Sequence, residues 1–202
     1  MKILLATGNM GKLREMESVF RSANMHDVEI LTLNDLPHVE EPIEDGNTFL
    51  ANAYIKVKYY YDIFKIPTIS DDTGLLVEAL NGAPGVLSAR YGSINGEHTD
   101  PYKNNLRILK ELENEINRNA KFITAMYYYD GVNLISSVGE LRGVITHAPR
   151  GDKSFGYSYI FEIPEYKQTL AEISDELRYA INHRGKASRM LIEQIKGYIV
   201  KK

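Results

Sequence analysis

Phe122-Ile123-Thr124-Ala125-Met126-Tyr127-Tyr128-Tyr129, then Asp130-Gly131, then Val132-Asn133-Leu134-Ile135-Ser136-Ser137-Val138-Gly139-Glu140-Leu141 is the stretch that decides the fold class. Two runs rich in β-branched and aromatic residues flank an Asp-Gly pair, a strong hairpin signal. Upstream, strands and helices alternate. Lys2 to Ala6 reads as a short buried strand. Leu13, Met16, Val19 and Phe20 then predict a helix from about Gly11 to Arg21. Val28 to Leu33 reads as a second strand. Ala53, Val57 and Tyr60 mark a second helix, with Asn47 or Thr48 as its cap. Pro67 to Ser70 reads as a short strand ending on Asp71-Asp72. Downstream, Asn81 to Gly96 holds four glycines and a proline and reads as irregular. Asp100-Pro101 opens a helix with Leu106, Leu109 and Leu112 on one face, and Lys186 to Tyr198 reads as the last helix. Alternation followed by a hairpin predicts an α/β fold with a mixed sheet.

Composition narrows the function. The chain has 202 residues, which suits a single domain over 1–202, and its net charge is −3. Binders of long duplex nucleic acid usually carry a basic excess, so long nucleic acid is an unexpected partner. There is no cysteine, which removes thiolate nucleophiles, disulfides and sulfur-ligated metals. A metal would sit on oxygen or imidazole, favouring Mg²⁺ or Mn²⁺. No apolar run approaches the length of a membrane span, and the N-terminal run Ile3 to Ala6 is too short for a signal peptide. A cytoplasmic protein without membrane partners is the expectation.

Three segments carry chemistry. Thr7-Gly8-Asn9-Met10-Gly11-Lys12 follows a strand and opens a helix, an arrangement in which amide groups, the helix dipole and a lysine can gather on an anion. The same residues also read as a tight turn with a solvated lysine. Ser70-Asp71-Asp72-Thr73-Gly74 places adjacent carboxylates at a strand's end. Successive strand side chains point to opposite faces, so both reach one site only if the strand ends or bends there, which Gly74 permits. With Glu44 from the acidic loop, they could serve Mg²⁺, which takes one or two carboxylates together with phosphate oxygens. An Asx-turn or helix cap is the alternative. Asn182-His183-Arg184-Gly185-Lys186 puts cations in the first turn of a helix, where the dipole opposes them. A nearby anion or carbonyl would account for them, and so would a solvated charged face. Phe155 and Tyr157 could stack on a base or belong to the core.

Taken together, these segments resemble the inosine triphosphate pyrophosphatase family, in one order along nearly the whole chain. Leu5 to Lys12 with Arg14-Glu15 is similar to its N-terminal motif. Ser70 to Leu75, Leu80 to Gly85 and Ser88-Ala89-Arg90-Tyr91 are similar to its central signature. Ala171-Glu172 and His183 to Ala187 are similar to its C-terminal signature. The resemblance implies an elongated mixed β-sheet flanked by helices, in two lobes with the active site in the groove between them, and a homodimer. It implies hydrolysis of noncanonical purine nucleoside triphosphates (ITP, dITP, XTP) to the monophosphate and pyrophosphate. Thr7, Gly8, Asn9, Met10, Gly11, Lys12 and Lys56 would hold the triphosphate. Glu44 and Asp72 would bind Mg²⁺, with Asp72 also the proton acceptor. Thr73 stands where serine is usual. Phe155, Gly156, Tyr157 and Ser158 would line the base, and His183 and Arg184 would donate to its 6-oxo group.

Two positions depart from the family pattern. Gly156-Tyr157-Ser158-Tyr159-Ile160-Phe161 stands where Gly-Tyr-Asp-Pro-Ile-Phe is usual, so Ser158 replaces an aspartate on the base side. Arg178 stands where a substrate-contacting lysine is usual, with a different donor geometry. Two rival readings follow: a house-cleaning pyrophosphatase for modified pyrimidine or methylated nucleotides, and a nucleotide-binding regulator without catalysis.

Overall fold

The structure is a computed structural model and describes residues 1–93, 100–152 and 156–199. The elements run β1 (Lys2–Leu5), α1 (Met10–Ser22), β2 (Glu29–Thr32), α2 (Phe49–Phe64), β3 (Thr68–Val77), α3 (Pro101–Glu111), β4 (Asn119–Tyr129), β5 (Leu134–Ile145), β6 (Phe161–Ile163), β7 (Gln168–Thr169), α4 (Asp175–Ile181) and α5 (His183–Ile199). They form a seven-stranded sheet in the order β2-β1-β3-β4-β5-β6-β7. β1 runs parallel to β2 and β3, whereas β5–β6 and β6–β7 are antiparallel. The mixed α/β sheet flanked by helices is therefore as expected. No described helix is long and apolar enough to cross a membrane.

Two compact units divide the chain, and neither is continuous. The first comprises Met1–Asp72, Thr124–Gly139 and His183–Lys202; the second comprises Thr73–Ile123 and Glu140–Asn182. In the first, period-2 alternation sorts β1. Ile3 and Leu5 join Met16, Val19 and Phe20 of α1 and Leu191, Ile192 and Ile195 of α5. Leu4 and Ala6 point the other way, onto Tyr60 of α2. Each such fully buried aliphatic side chain contributes about 1.5–3 kcal/mol. α1 and α5 thus cover one face of this part of the sheet and α2 the other.

Local chemistry sets the helix starts. Asn9 caps α1, its side chain accepting from the amides of Gly11 and Lys12. Thr48, rather than Asn47, caps α2 by accepting from Ala51 N. Asp100 caps α3 with Pro101 in its first turn.

Two expectations are corrected. β3 does not end at Asp71-Asp72 but runs on to Val77, because Leu75 and Val77 are fully buried in the second unit's core and hold the chain extended. α3 does not bury Leu106, which is 44% exposed, while Asn104 and Asn105 are buried. Asn104 Nδ2 donates to the carbonyls of Ser88 and Ala89, and Asn105 Nδ2 donates to Gly156 O. Those bonds let polar residues occupy the inner face. The irregular reading of 81–96 also needs refinement, since Gly85–Arg90 forms a 3₁₀ helix; its last three positions, 94–96, lie outside the described residues.

Candidate active site

The strand β3 arranges the acidic pair. Its alternation continues without a break: Ile69 packs on the α1/α5 face, while Ser70 Oγ donates to Ala53 O on the α2 face. Asp71 returns to the first face, where both its oxygens accept from Lys12 Nζ at 2.8 Å. Asp72 turns to the second, where Oδ2 accepts from Asn52 Nδ2 at 3.1 Å. The two carboxylates therefore do not share a site. The bend that would have joined them is absent, because β3 stays extended through both.

On the α1/α5 face, Asp71 also lies 3.5 Å from Arg184 Nε, and Arg184 Nη1 lies 3.8 Å from Glu15. Burial would raise the Asp71 pKa, but Lys12 above all, then Arg184 and Lys56, outweigh it and hold the carboxyl well below the usual range. Burial lowers Lys12, and Asp71 offsets part of that. His183 is pushed down to about 3, by burial first and the Arg184 charge second, so its imidazole is neutral near pH 7.

The position of His183 and Arg184 rests on a glycine. A Cβ at Gly139 would lie 2.1 Å from His183 O and 2.5 Å from Ala187 N, so α5 begins with its backbone against β5. Ser137 Oγ donates to Ala187 O at 2.8 Å and fastens the same turn.

On the α2 face, Glu44 pairs with Lys56 at 3.0 Å. Asn52 links the two carboxylates indirectly. Its Oδ1 accepts from Gly46 N at 2.8 Å, two residues after Glu44, while its Nδ2 donates to Asp72. Among the described residues, no three His, Cys, Asp or Glu side chains converge to hold a metal. Two oxygen donors on one face suit Mg²⁺, which takes most of its remaining ligands from phosphate and water.

The loop before α1 is internally bonded. Thr7 Oγ1 accepts from Asn9 N, Gly8 O accepts from Asn34 Nδ2, and Met10 is exposed. Of the remaining expected site residues, Thr73, Gly156, Tyr157, Ser158 and Arg178 belong to the second unit. Gly156 adopts a φ of +62° at the start of the 3₁₀ turn Gly156–Tyr159, a conformation that favours glycine. Tyr157 is buried in that unit's core, and its hydroxyl donates to Ser88 O at 2.7 Å, so its ring packs rather than projects. Arg178 on α4 pairs with Asp175. Phe155 lies outside the described residues.

Asn52 and Gly139 escaped the sequence reading, and so did the commitment of Asp71 to Lys12 in place of a metal. Unbroken strand alternation through Asp71-Asp72 would have separated the two carboxylates. Nothing in the local pattern marks Asn52 or Gly139.

A strand-to-helix turn capped by Asn9, with two carboxylates on opposite faces of one strand, makes this an α/β protein of the mixed-sheet class. The chain matches the Ham1 family model over residues 3–194 and belongs to that family. A dITP/XTP pyrophosphatase of Aquifex aeolicus is 42% identical over 202 residues, covering 97% of each chain. One from Lactobacillus acidophilus is 43% identical, covering 95% of this chain and 96% of that protein. The Ham1 protein of Staphylococcus aureus superposes with a TM-score of 0.88 at 30% identity, covering 98% of this chain and all of that one. A dITP/XTP pyrophosphatase from Mycobacterium abscessus gives 0.80 at 35% identity, covering 96% and 100%.

Proposed function

We propose that the chain is a nucleoside triphosphate pyrophosphatase that hydrolyses noncanonical purine nucleotides (ITP, dITP and XTP) to the monophosphate and pyrophosphate. The observation that carries this is the division of labour on β3. Asp71 is committed to Lys12 and Arg184, while Asp72 faces the acidic loop with Glu44 through Asn52. Relatives at about 40% identity over nearly the whole chain carry the name dITP/XTP pyrophosphatase.

Glu44 and Asp72 would hold Mg²⁺, which when bound neutralises charge on the phosphates. Thr7, Asn9 and Lys12 bind the triphosphate at the start of α1. Lys56, which pairs with Glu44 at 3.0 Å, would turn to a phosphate oxygen once Glu44 held the cation. A water attacks the α-phosphorus, Asp72 takes its proton, and pyrophosphate leaves. Asn52 keeps the Asp72 carboxylate oriented, so that the proton acceptor is positioned before substrate arrives.

Base choice follows from neutral and cationic donors. His183, uncharged because it is buried, and Arg184 donate to a 6-oxo group. An adenine 6-amino group would leave those donors unpaired, at about 1–3 kcal/mol for each buried group. Several donors acting together are needed to reject ATP.

Pyrophosphate release from ITP, XTP, GTP, ATP and dTTP, each with Mg²⁺ and with a chelator, tests the reading. Metal-dependent release from ITP and XTP, with GTP and ATP slow, is expected. Equal release from all five would keep the hydrolytic centre and remove the base assignment. Silence with every substrate would leave a nucleotide-binding protein.

A further inference from the structure

Asp71 is a buried carboxylate that the proposed hydrolysis does not use. It is 3% exposed and gives both oxygens to Lys12. A second cation, Arg184, has its Nε 3.5 Å away. That nitrogen is buried and makes no hydrogen bond among the described residues, so charge rather than hydrogen-bond geometry ties it to Asp71. Lys12 sits on α1, Arg184 on the first turn of α5, and Asp71 on β3 between them. All three elements contribute to one apolar core. Two cations gathered away from water repel each other unless an anion separates them. Glu15 lies 3.8 Å from the other side of Arg184, at Nη1, but Asp71 is the carboxylate that both cations share.

We infer that Asp71 is a positioning residue that couples the two ends of nucleotide recognition, anchoring Lys12 for the triphosphate and Arg184 for the 6-oxo group to one point on β3. The coupling rests on the function proposed above, which gives Lys12 and Arg184 those targets. It makes base selectivity depend on a residue that touches neither base nor phosphate. A carboxylate that only held the fold would behave differently. Its removal would lower the amount of active protein and scale every substrate alike.

The ratio of kcat/KM for ITP to that for ATP is blind to the active fraction, and it is the readout. It is measured, with KM for ITP, on the wild type, Asp71→Asn, Lys12→Gln, Arg184→Gln and the Lys12→Gln/Asp71→Asn double variant. Lys12→Gln should raise KM for both nucleotides and leave the ratio near its wild-type value. Asp71→Asn should both raise KM for ITP and cut the ratio by about 10- to 100-fold, the scale on which misplaced polar groups discriminate. Adding Asp71→Asn to Lys12→Gln should still cut the ratio, because Arg184 then keeps only the longer contact with Glu15. The double variant removes the buried pair together and strands no lysine, so it stays informative if Asp71→Asn fails to fold. A ratio within about twofold of wild type in every Asp71 variant that folds would overturn the coupling, since the expected change is at least about tenfold. A wild type without preference for ITP, or an Arg184→Gln variant with an unchanged ratio, would overturn the assignment of Arg184, and the coupling with it.

Discussion

The two faces of β3 make opposite use of the same side chain. Toward α1 and α5, Asp71 is buried and bonded at short range to a lysine, with an arginine close by. Toward α2, Asp72 is half-buried and its bond to Asn52 comes from a neutral amide. A carboxylate already matched by cations stays ionised and unreactive. One that accepts from a neutral amide suits the proposed roles of cation ligand and proton acceptor. One residue of register thus separates an anion matched by two cations from the one proposed as proton acceptor.

The largest expected effect lies on the α2 face. Asp72→Asn should lower kcat for ITP by about 10²–10⁴-fold, the usual contribution of a positioned acid or base, while nucleotide binding remains detectable by calorimetry. Full turnover in that variant would remove Asp72 from the chemistry and erase the contrast between the faces. Next comes its support. Asn52→Ala deletes the bonds to Asp72 and to Gly46 N and should cost about 1–3 kcal/mol of stability. Its kcat should fall while KM changes less. Equal losses in kcat for Asn52→Ala and for a destabilised core variant would reduce Asn52 to packing.

The α1/α5 face makes a quieter prediction in pH. His183 has a folded pKa near 3 against 6.5 ordinarily. As pH falls below about 6.5 the unfolded chain takes up this proton first. The contribution of His183 is therefore complete above that value and lost progressively toward pH 3. Asp71, whose pKa is depressed from 3.8, begins to matter only below about pH 4. Between pH 6.5 and 4 the loss should be about 2–3 kcal/mol. Chemical denaturation across that window should show the slope in the wild type and a flatter line in His183→Gln. Parallel lines would mean that His183 is solvated and protonates freely.

What was legible in the sequence was local. The strand-turn-helix from Lys2 to Ser22, the Thr48 cap and the Asp100-Pro101 start each depend on neighbours a few residues away, and each lies in the structure close to its reading. The Asp-Gly pair likewise marks the β4–β5 connection, where the Asp130 carboxylate accepts from Val132 and Asn133 amides. What escaped was set by partners distant in the chain. Asp71-Asp72 look like turn-formers, and only the burial of Leu75 and Val77 shows that the strand continues through them. Asn104 and Asn105 look solvated until the carbonyls of Ser88, Ala89 and Gly156 arrive beside them. Asn52 looks like an ordinary helix residue, because its two partners, Gly46 and Asp72, lie in a loop and a strand.

Gly139 has a consequence for how this protein can vary. With 2.1 Å between a hypothetical Cβ and the His183 carbonyl, no side chain fits without moving the first turn of α5. A saturation library scored by nucleotide turnover would therefore record position 139 as intolerant, alongside residues proposed to touch the substrate. The residue reported as essential would have no side chain at all; what selection preserves there is an absence of atoms.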